Sequence, residues 1–213
     1  MLDFLSLSAN PARVLLTHKL VYLMRQAYID AGIEPRICIY LYGQSGTQKT
    51  TYSNLLTQMY NCDEGIKSPV RLNASIPSAI KILLQTSDDV VVLDDLYPAD
   101  FKQVRNQQEE TLIEITRYIG DGIMPARMRG NKLSTNRPKC GVVFTGEYII
   151  GSGSDAARLL PVEMMKPDGE KLKHFQDFPL IIPTFYYYYI SWFISHYKEI
   201  IECLKSFLDC YRK

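Results

Sequence analysis

An α/β fold, with a mostly parallel sheet flanked by helices and further helices at both ends, is predicted by three observations. The apolar run Ile37 to Leu41 breaks into a Gly-rich stretch, LYGQSGTQKT (residues 41–50), the sequence form of a strand feeding a phosphate-binding loop. Asp89 to Leu93 is apolar without alternation once past its first acid, as in a strand buried on both faces. Segments of helical spacing separate the strands, which implies parallel pairing and a ligand site at the strands' C-terminal ends.

The elements follow in order. Asn10-Pro11 starts a helix that keeps helical spacing until Gly32 ends it. Strand Ile37 to Tyr42 leads into the loop, and Thr50 to Tyr60 forms the next helix. Pro69 to Leu72 is a short strand, Ser75 caps a helix running to about Gln85, and Asp89 to Leu93 is the second strong strand. A polar helix after Pro98 reaches Tyr118 and stops at Gly120-Asp121-Gly122. A loop leads to strand Cys140 to Thr145, a Gly/Ser turn occupies 151–154, and Leu160 to Met164 is the last strand. From Lys171 the chain is helical, broken near Pro179 and Pro183. The chain divides into an N-terminal helical segment (1–34), a phosphate-loop core (35–168) and a C-terminal helical segment (169–213), without internal repeats.

At 213 residues and 46% hydrophobic content the chain can bury a large core, and its net charge of +1 leaves any polyanion site local. Five scattered cysteines without C-x-x-C favour a reduced, cytoplasmic compartment. Residues 1–9 lack the form of a signal peptide. The aromatic stretch Phe178 to Ile194 carries two prolines and leads into an amphipathic segment, which reads as core or subunit interface rather than a membrane span.

Four motifs carry chemistry. Gly43, Gln44, Ser45, Gly46, Thr47, Gln48, Lys49, Thr50 and Thr51 make the candidate phosphate cradle. Glycine lets backbone N–H groups turn toward phosphate, Lys49 brings charge to the β- and γ-phosphates of ATP, and the Thr50 hydroxyl ligates Mg²⁺ at a helix N-terminus. Gln48 stands where the motif has its second glycine. In Val90-Val91-Val92-Leu93-Asp94-Asp95, read as a strand ending in acids, Asp94 is assigned to Mg²⁺ and Asp95 to activation of water. From Ile123 to Gly146 there is no acid, while Arg127, Arg129, Lys132, Arg137 and Lys139 supply five positive charges, suited either to nonspecific phosphate-backbone contact or to a solvated loop. Arg158 precedes an apolar strand, where it can pair with Asp155 or Glu163 or reach a neighbouring subunit's γ-phosphate.

The ordered set GQSGTQKT, VVVLDDL, RYIGDGIMPARMRGNKLSTNRPK, GVVFTGE and AARLLPVEM resembles the ATPase domain of superfamily-three helicases and related AAA+ helicase-primase proteins of phages, plasmids and integrated mobile elements. That resemblance implies a P-loop NTPase of AAA+ type, a DNA helicase module that assembles into a ring, commonly a hexamer, around single- or double-stranded DNA, acting with a primase or loader. It implies that Arg127, Arg129 and Lys132 lie on a DNA-contacting hairpin, that Thr145 tips a sensor strand and that Arg158 is an arginine finger acting in trans. Asp95 stands where Glu is common, and the usual sensor Asn is replaced by Gly146, leaving Thr145 or Glu147 for the role. The sequence carries no primase or origin-binding domain ahead of the ATPase, which fits either a fragment of a longer protein or a reduced mobile-element protein acting with a separate partner. The alternatives are a degenerate phosphate-loop protein that binds nucleotide or DNA without turnover, and a small-molecule kinase.

Overall fold

The computed structural model describes residues 5, 9–57, 70–71, 76–98, 100–124, 127–129, 132–134, 136–149 and 157–211. Helices α1 (Ala9–Leu23) and α2 (Arg25–Asp30) precede strand β1 (Cys38–Tyr42) and helix α3 (Lys49–Thr57). Then come β2 (Val70–Arg71), α4 (Ile76–Gln85), β3 (Ser87–Leu96) and α5 (Lys102–Asp121). A hairpin, β4 (Arg127–Arg129) with β5 (Lys132–Ser134), is followed by β6 (Lys139–Gly146), β7 (Leu159–Glu163), α6 (Gly169–Asp177), α7 (Ile181–Ser195) and α8 (Tyr197–Tyr211).

Five strands form one sheet in the order β2-β3-β6-β1-β7, every neighbouring pair parallel. The interior strands β3, β6 and β1 are the unbroken apolar runs because both of their faces are covered. On one face Ile39, Leu41, Val92 and Val143 meet Leu15, Tyr22, Tyr52 and Phe175 from α1, α3 and α6. On the other, Tyr40, Val91, Leu93 and Phe144 meet Leu83, Leu112 and Ile115 from α4 and α5. Adjacent residues of a strand thus serve opposite cores, as the pleat requires. Strand β7 lies at the sheet's edge, which lets it hold Pro161 without a missing ladder bond on a second side.

Several expected boundaries move. The first helix is interrupted at Met24, with Lys19 of α1 and Arg25 of α2 each paired to an acid at the start of β3. Strand β3 runs past Leu93 to Leu96, so Asp94 and Asp95 lie within the strand rather than at its end. A register shift between Leu93 and Leu96 lets the chain bend there, and Leu96 still pairs with Gly146. The C-terminal break falls at Phe178–Leu180, whereas Pro183 sits in the first turn of α7, where its missing N–H has no intrahelical partner to lose. The aromatic stretch divides its faces: Ile182, Tyr186 and Phe193 are buried, while Tyr187, Tyr188 and Trp192 are exposed. No helix among the described residues is long and apolar enough to cross a membrane. The Gly/Ser turn at 151–154, residues 58–60 of the helix expected over Thr50 to Tyr60 and the cap Ser75 lie outside the described residues.

Candidate functional site

The C-terminal edge of the sheet collects the exits of β1, β3, β6 and β7. At the exit of β1, the Gly43 N–H donates to the Gly146 carbonyl at 3.1 Å and the Met164 N–H to the Tyr42 carbonyl at 2.7 Å. A Cβ on Gly43 would stand 2.5 Å from the Met164 carbonyl oxygen, so only glycine lets β7 leave this close. The loop closes on itself, with the Thr47 hydroxyl donating to the Gln44 carbonyl at 2.8 Å. Gly46 and Gln48 both take left-handed backbone angles, φ 82° and 61°. For Gln48 that conformation costs on the order of 1–2 kcal/mol relative to the right-handed one. The position that the motif reserves for glycine therefore keeps glycine's geometry while carrying a side chain.

Lys49, the first residue of α3, donates to the Gly43 and Gln44 carbonyls at 2.7 and 3.0 Å. Burial lowers its pKa, opposed by the nearby charges of Glu147, Asp94 and Asp95. The Thr50 hydroxyl meets both carboxylate oxygens of Asp94, at 3.0 and 3.2 Å. Thr145, on β6 between β1 and β3, donates its hydroxyl to the same Asp94 carboxylate and accepts the Asp95 N–H at 3.2 Å. A chain of hydroxyls and carboxylate, Thr50–Asp94–Thr145, so links three elements that lie 44 and 51 residues apart in sequence.

Asp95 has φ 79°, which turns its side chain away from the regular pleat, and it lines the same cleft as Lys49, Thr50, Asp94, Thr145 and Glu147. Burial first, and the neighbouring Asp94 charge second, raise its carboxyl pKa. The cleft holds about 150 Å³, below the ~300–1,000 Å³ usual for small-molecule pockets. Gly146 could not be an asparagine here, because its Cβ would collide with the Tyr40 hydroxyl, itself bonded to the Tyr148 carbonyl. Thr145 and Glu147 both reach the cleft instead.

The oxygen-only donor set of Thr50 and Asp94 fits a hard divalent cation such as Mg²⁺, which takes few protein ligands and completes its shell with phosphate and water. Among the described residues no group of three His, Cys, Asp or Glu that could hold a metal occurs.

Two sets of expected site residues lie elsewhere. Arg158 precedes Leu159, which pairs with Cys38 at the start of β1, so it stands at the opposite edge of the sheet. Its Nη2 and Nε donate to Asp121 Oδ1 at 2.9 and 3.2 Å, rather than to the expected Glu163; Asp155 lies outside the described residues. Arg127, Arg129 and Lys132 are on the antiparallel β4–β5 hairpin, with Arg129 opposite Lys132, and their side chains lie outside the described residues. A residue that the sequence reading passed over is Gln108, buried on α5 and bonded to the Asp95 carbonyl at 3.2 Å. Its signal was a polar side chain on the stripe that also carries Leu112, Ile115 and Ile119.

No family model and no curated protein sequence matches the chain. Among solved structures, the active helicase Cch of SCCmec type IV superposes with a TM-score of 0.55 at 16% identity, over 94% of this chain and 38% of that one. The JCV helicase superposes with a TM-score of 0.52 at 15% identity, over 98% of this chain and 59% of that one. At such identities the fold is what is shared. The chain shares its α/β fold with these helicases, and it spans less than two thirds of the length of either.

Proposed function

We propose that the chain is the ATP-binding and hydrolysing motor module of a mobile-element DNA helicase or replication protein. The observation that carries this reading is the Thr50–Asp94–Thr145 chain beside Lys49. Lys49 exchanges its two loop carbonyls for β- and γ-phosphate oxygens, which neutralise it better. Thr50 and Asp94 would hold Mg²⁺, which would supply positive charge against that developing on the transferred phosphoryl group. Asp95, with its basicity raised by burial and by Asp94, orients the attacking water and accepts its proton as the water oxygen bonds to the γ-phosphorus and ADP departs. Arg158, away from its own chain's cleft, serves a neighbour's cleft in a ring, in keeping with the hexamers of the family that the motifs resemble. Arg127, Arg129 and Lys132 on the hairpin contact the DNA backbone.

ATPase activity stimulated by single-stranded DNA, and abolished by both Lys49→Ala and Arg158→Ala, is the expected result. Hydrolysis no faster than that of the Lys49→Ala control at every protein concentration would sink the motor reading.

A second reading, a nucleotide- or DNA-binding assembly subunit without significant turnover, is favoured by the side chain at left-handed Gln48 and by the small volume of the cleft. Gln48→Gly separates the two: a large gain in hydrolysis supports degeneracy, and a loss supports a working site that uses Gln48.

A further inference from the structure

Helix α5 packs on the sheet through Gln108, Thr111, Leu112, Ile115, Thr116 and Ile119, a stripe at helical spacing. Gln108 is its one amide, and it is only 1% exposed. A buried amide costs stability unless both of its ends are bonded. Here Nε2 donates to the Asp95 carbonyl at 3.2 Å, while Oε1 is buried without a hydrogen-bond partner. A leucine or methionine would fill the same space without that cost, so packing alone does not account for the residue. What the amide reaches does. Asp95 is held in a left-handed conformation at the register shift of β3, and its peptide groups are gripped on both sides: its N–H by Thr145 Oγ1 at 3.2 Å and its C=O by Gln108. The next residue of α5, Glu109, accepts the Tyr148 hydroxyl at 2.8 Å, so the same turn of the helix also fastens the chain leaving β6 beyond Glu147.

We infer that Gln108 is a positioning residue for Asp95: its amide locks the bent end of β3 so that the Asp95 carboxylate faces the cleft instead of following the pleat. The inference rests on the reading of Asp95 as the group that orients water. Its test therefore includes a measurement that needs no turnover.

Amide hydrogen exchange of the full chain without nucleotide, resolved by residue, is compared for the wild type, Gln108→Met and Gln108→Glu, together with kcat and nucleotide Kd. In Gln108→Met, which keeps volume and removes the donor, the Asp95 amide should exchange roughly tenfold faster while those of Val142 to Phe144 on β6 hold within about twofold. kcat should fall ~10–100-fold with Kd within about twofold, the signature of a misplaced group rather than lost binding. Gln108→Glu should recover turnover only toward acid pH, where the introduced carboxyl is protonated and can donate to the Asp95 carbonyl. An unchanged Asp95 amide in Gln108→Met overturns the inference, as does uniform acceleration across the sheet, which would mark a core plug. A wild type without hydrolysis would remove the functional reading, and the Asp95 amide would still decide whether Gln108 positions it.

Discussion

Strand β3 carries two adjacent aspartates near each end, Asp88-Asp89 where it enters the sheet and Asp94-Asp95 where it leaves. One residue of each pair is left-handed, Asp88 with φ 54° and Asp95 with φ 79°. Their surroundings differ completely. Asp89 receives the Lys19 ammonium, whose side chain is fully buried beneath the Tyr186 ring, and Asp88 receives Arg25 Nη1 at 3.1 Å. Asp94 receives two hydroxyls, and among the described residues neither it nor Asp95 takes part in an ion pair. An acid paired with its own buried cation is finished as structure. An acid that receives hydroxyls and no ion pair, beside a loop whose Lys49 is held by its own carbonyls, retains a negative potential that a divalent cation can satisfy. The pair's electrostatic state, more than the Asp-Asp dipeptide itself, distinguishes the candidate site from the fastening.

If that contrast holds, removing charge at the two ends has opposite consequences. The largest effect on folding is expected from Lys19→Met, which leaves the partly exposed Asp89 without its cation and should cost about 1.5–3 kcal/mol in urea unfolding, with nucleotide affinity of the remaining folded protein unchanged. Asp94→Asn should do the reverse. It keeps the shape that Thr50 and Thr145 bond, so stability should stay within about 1 kcal/mol, while hydrolysis falls about 10²–10³-fold and its dependence on Mg²⁺ is blunted. A stability loss for Asp94→Asn as large as that for Lys19→Met would erase the distinction.

A third effect of similar size belongs to the entry side. His18, next to Lys19 and buried, has its pKa lowered to about 4, chiefly by burial and also by the Lys19 charge, against a backbone hydrogen bond with Val142. Its folded pKa lies below its unfolded one, so the unfolded chain takes up the proton first on acidification. Stability from this group is complete above about pH 6.5 and declines toward pH 4, by on the order of 3 kcal/mol. Urea titrations across that window should show a shallower loss for His18→Gln than for wild type; parallel curves would remove His18 from the account. The smallest expected effect is that of Arg158→Ala. Its ion pair with Asp121 is partly exposed, so the substitution should cost less than about 1 kcal/mol in a thermal melt, leaving any loss of hydrolysis to be traced to a neighbouring subunit.

Much of this was legible in the chain itself. Strands β1, β3 and β6 stand out because interior parallel strands must be apolar on both faces, and α5 shows its stop because Gly122 supplies the left-handed cap. Lys49, Thr50 and Asp94 could be picked from residue type and order and Thr145 from the resemblance of the motif set, and all four meet in one cleft. Less could be read where a partner lies far along the chain. The interruption at Met24 coincides with the pairing of Lys19 to Asp89, 70 residues on, and of Arg25 to Asp88, 63 residues on. The extension of β3 to Leu96 depends on a register shift against β6, which no local propensity announces. Gln108 was hidden because a polar residue on a helix stripe declares its purpose only once its neighbour, Asp95, is known.

By itself the sequence determined which side chains were available and in what order: a glycine-rich loop ending in Lys-Thr, two acid pairs bracketing an apolar run, and a threonine at the tip of a later strand. Only the tertiary structure decided which acid pair receives cations and which receives hydroxyls. The reason is the strand order. Inserting β6 between β1 and β3 carries Thr145 to Asp94, and packing α1 across the entry of β3 carries Lys19 to Asp89. Both are contacts between residues too far apart in sequence for any local pattern to encode.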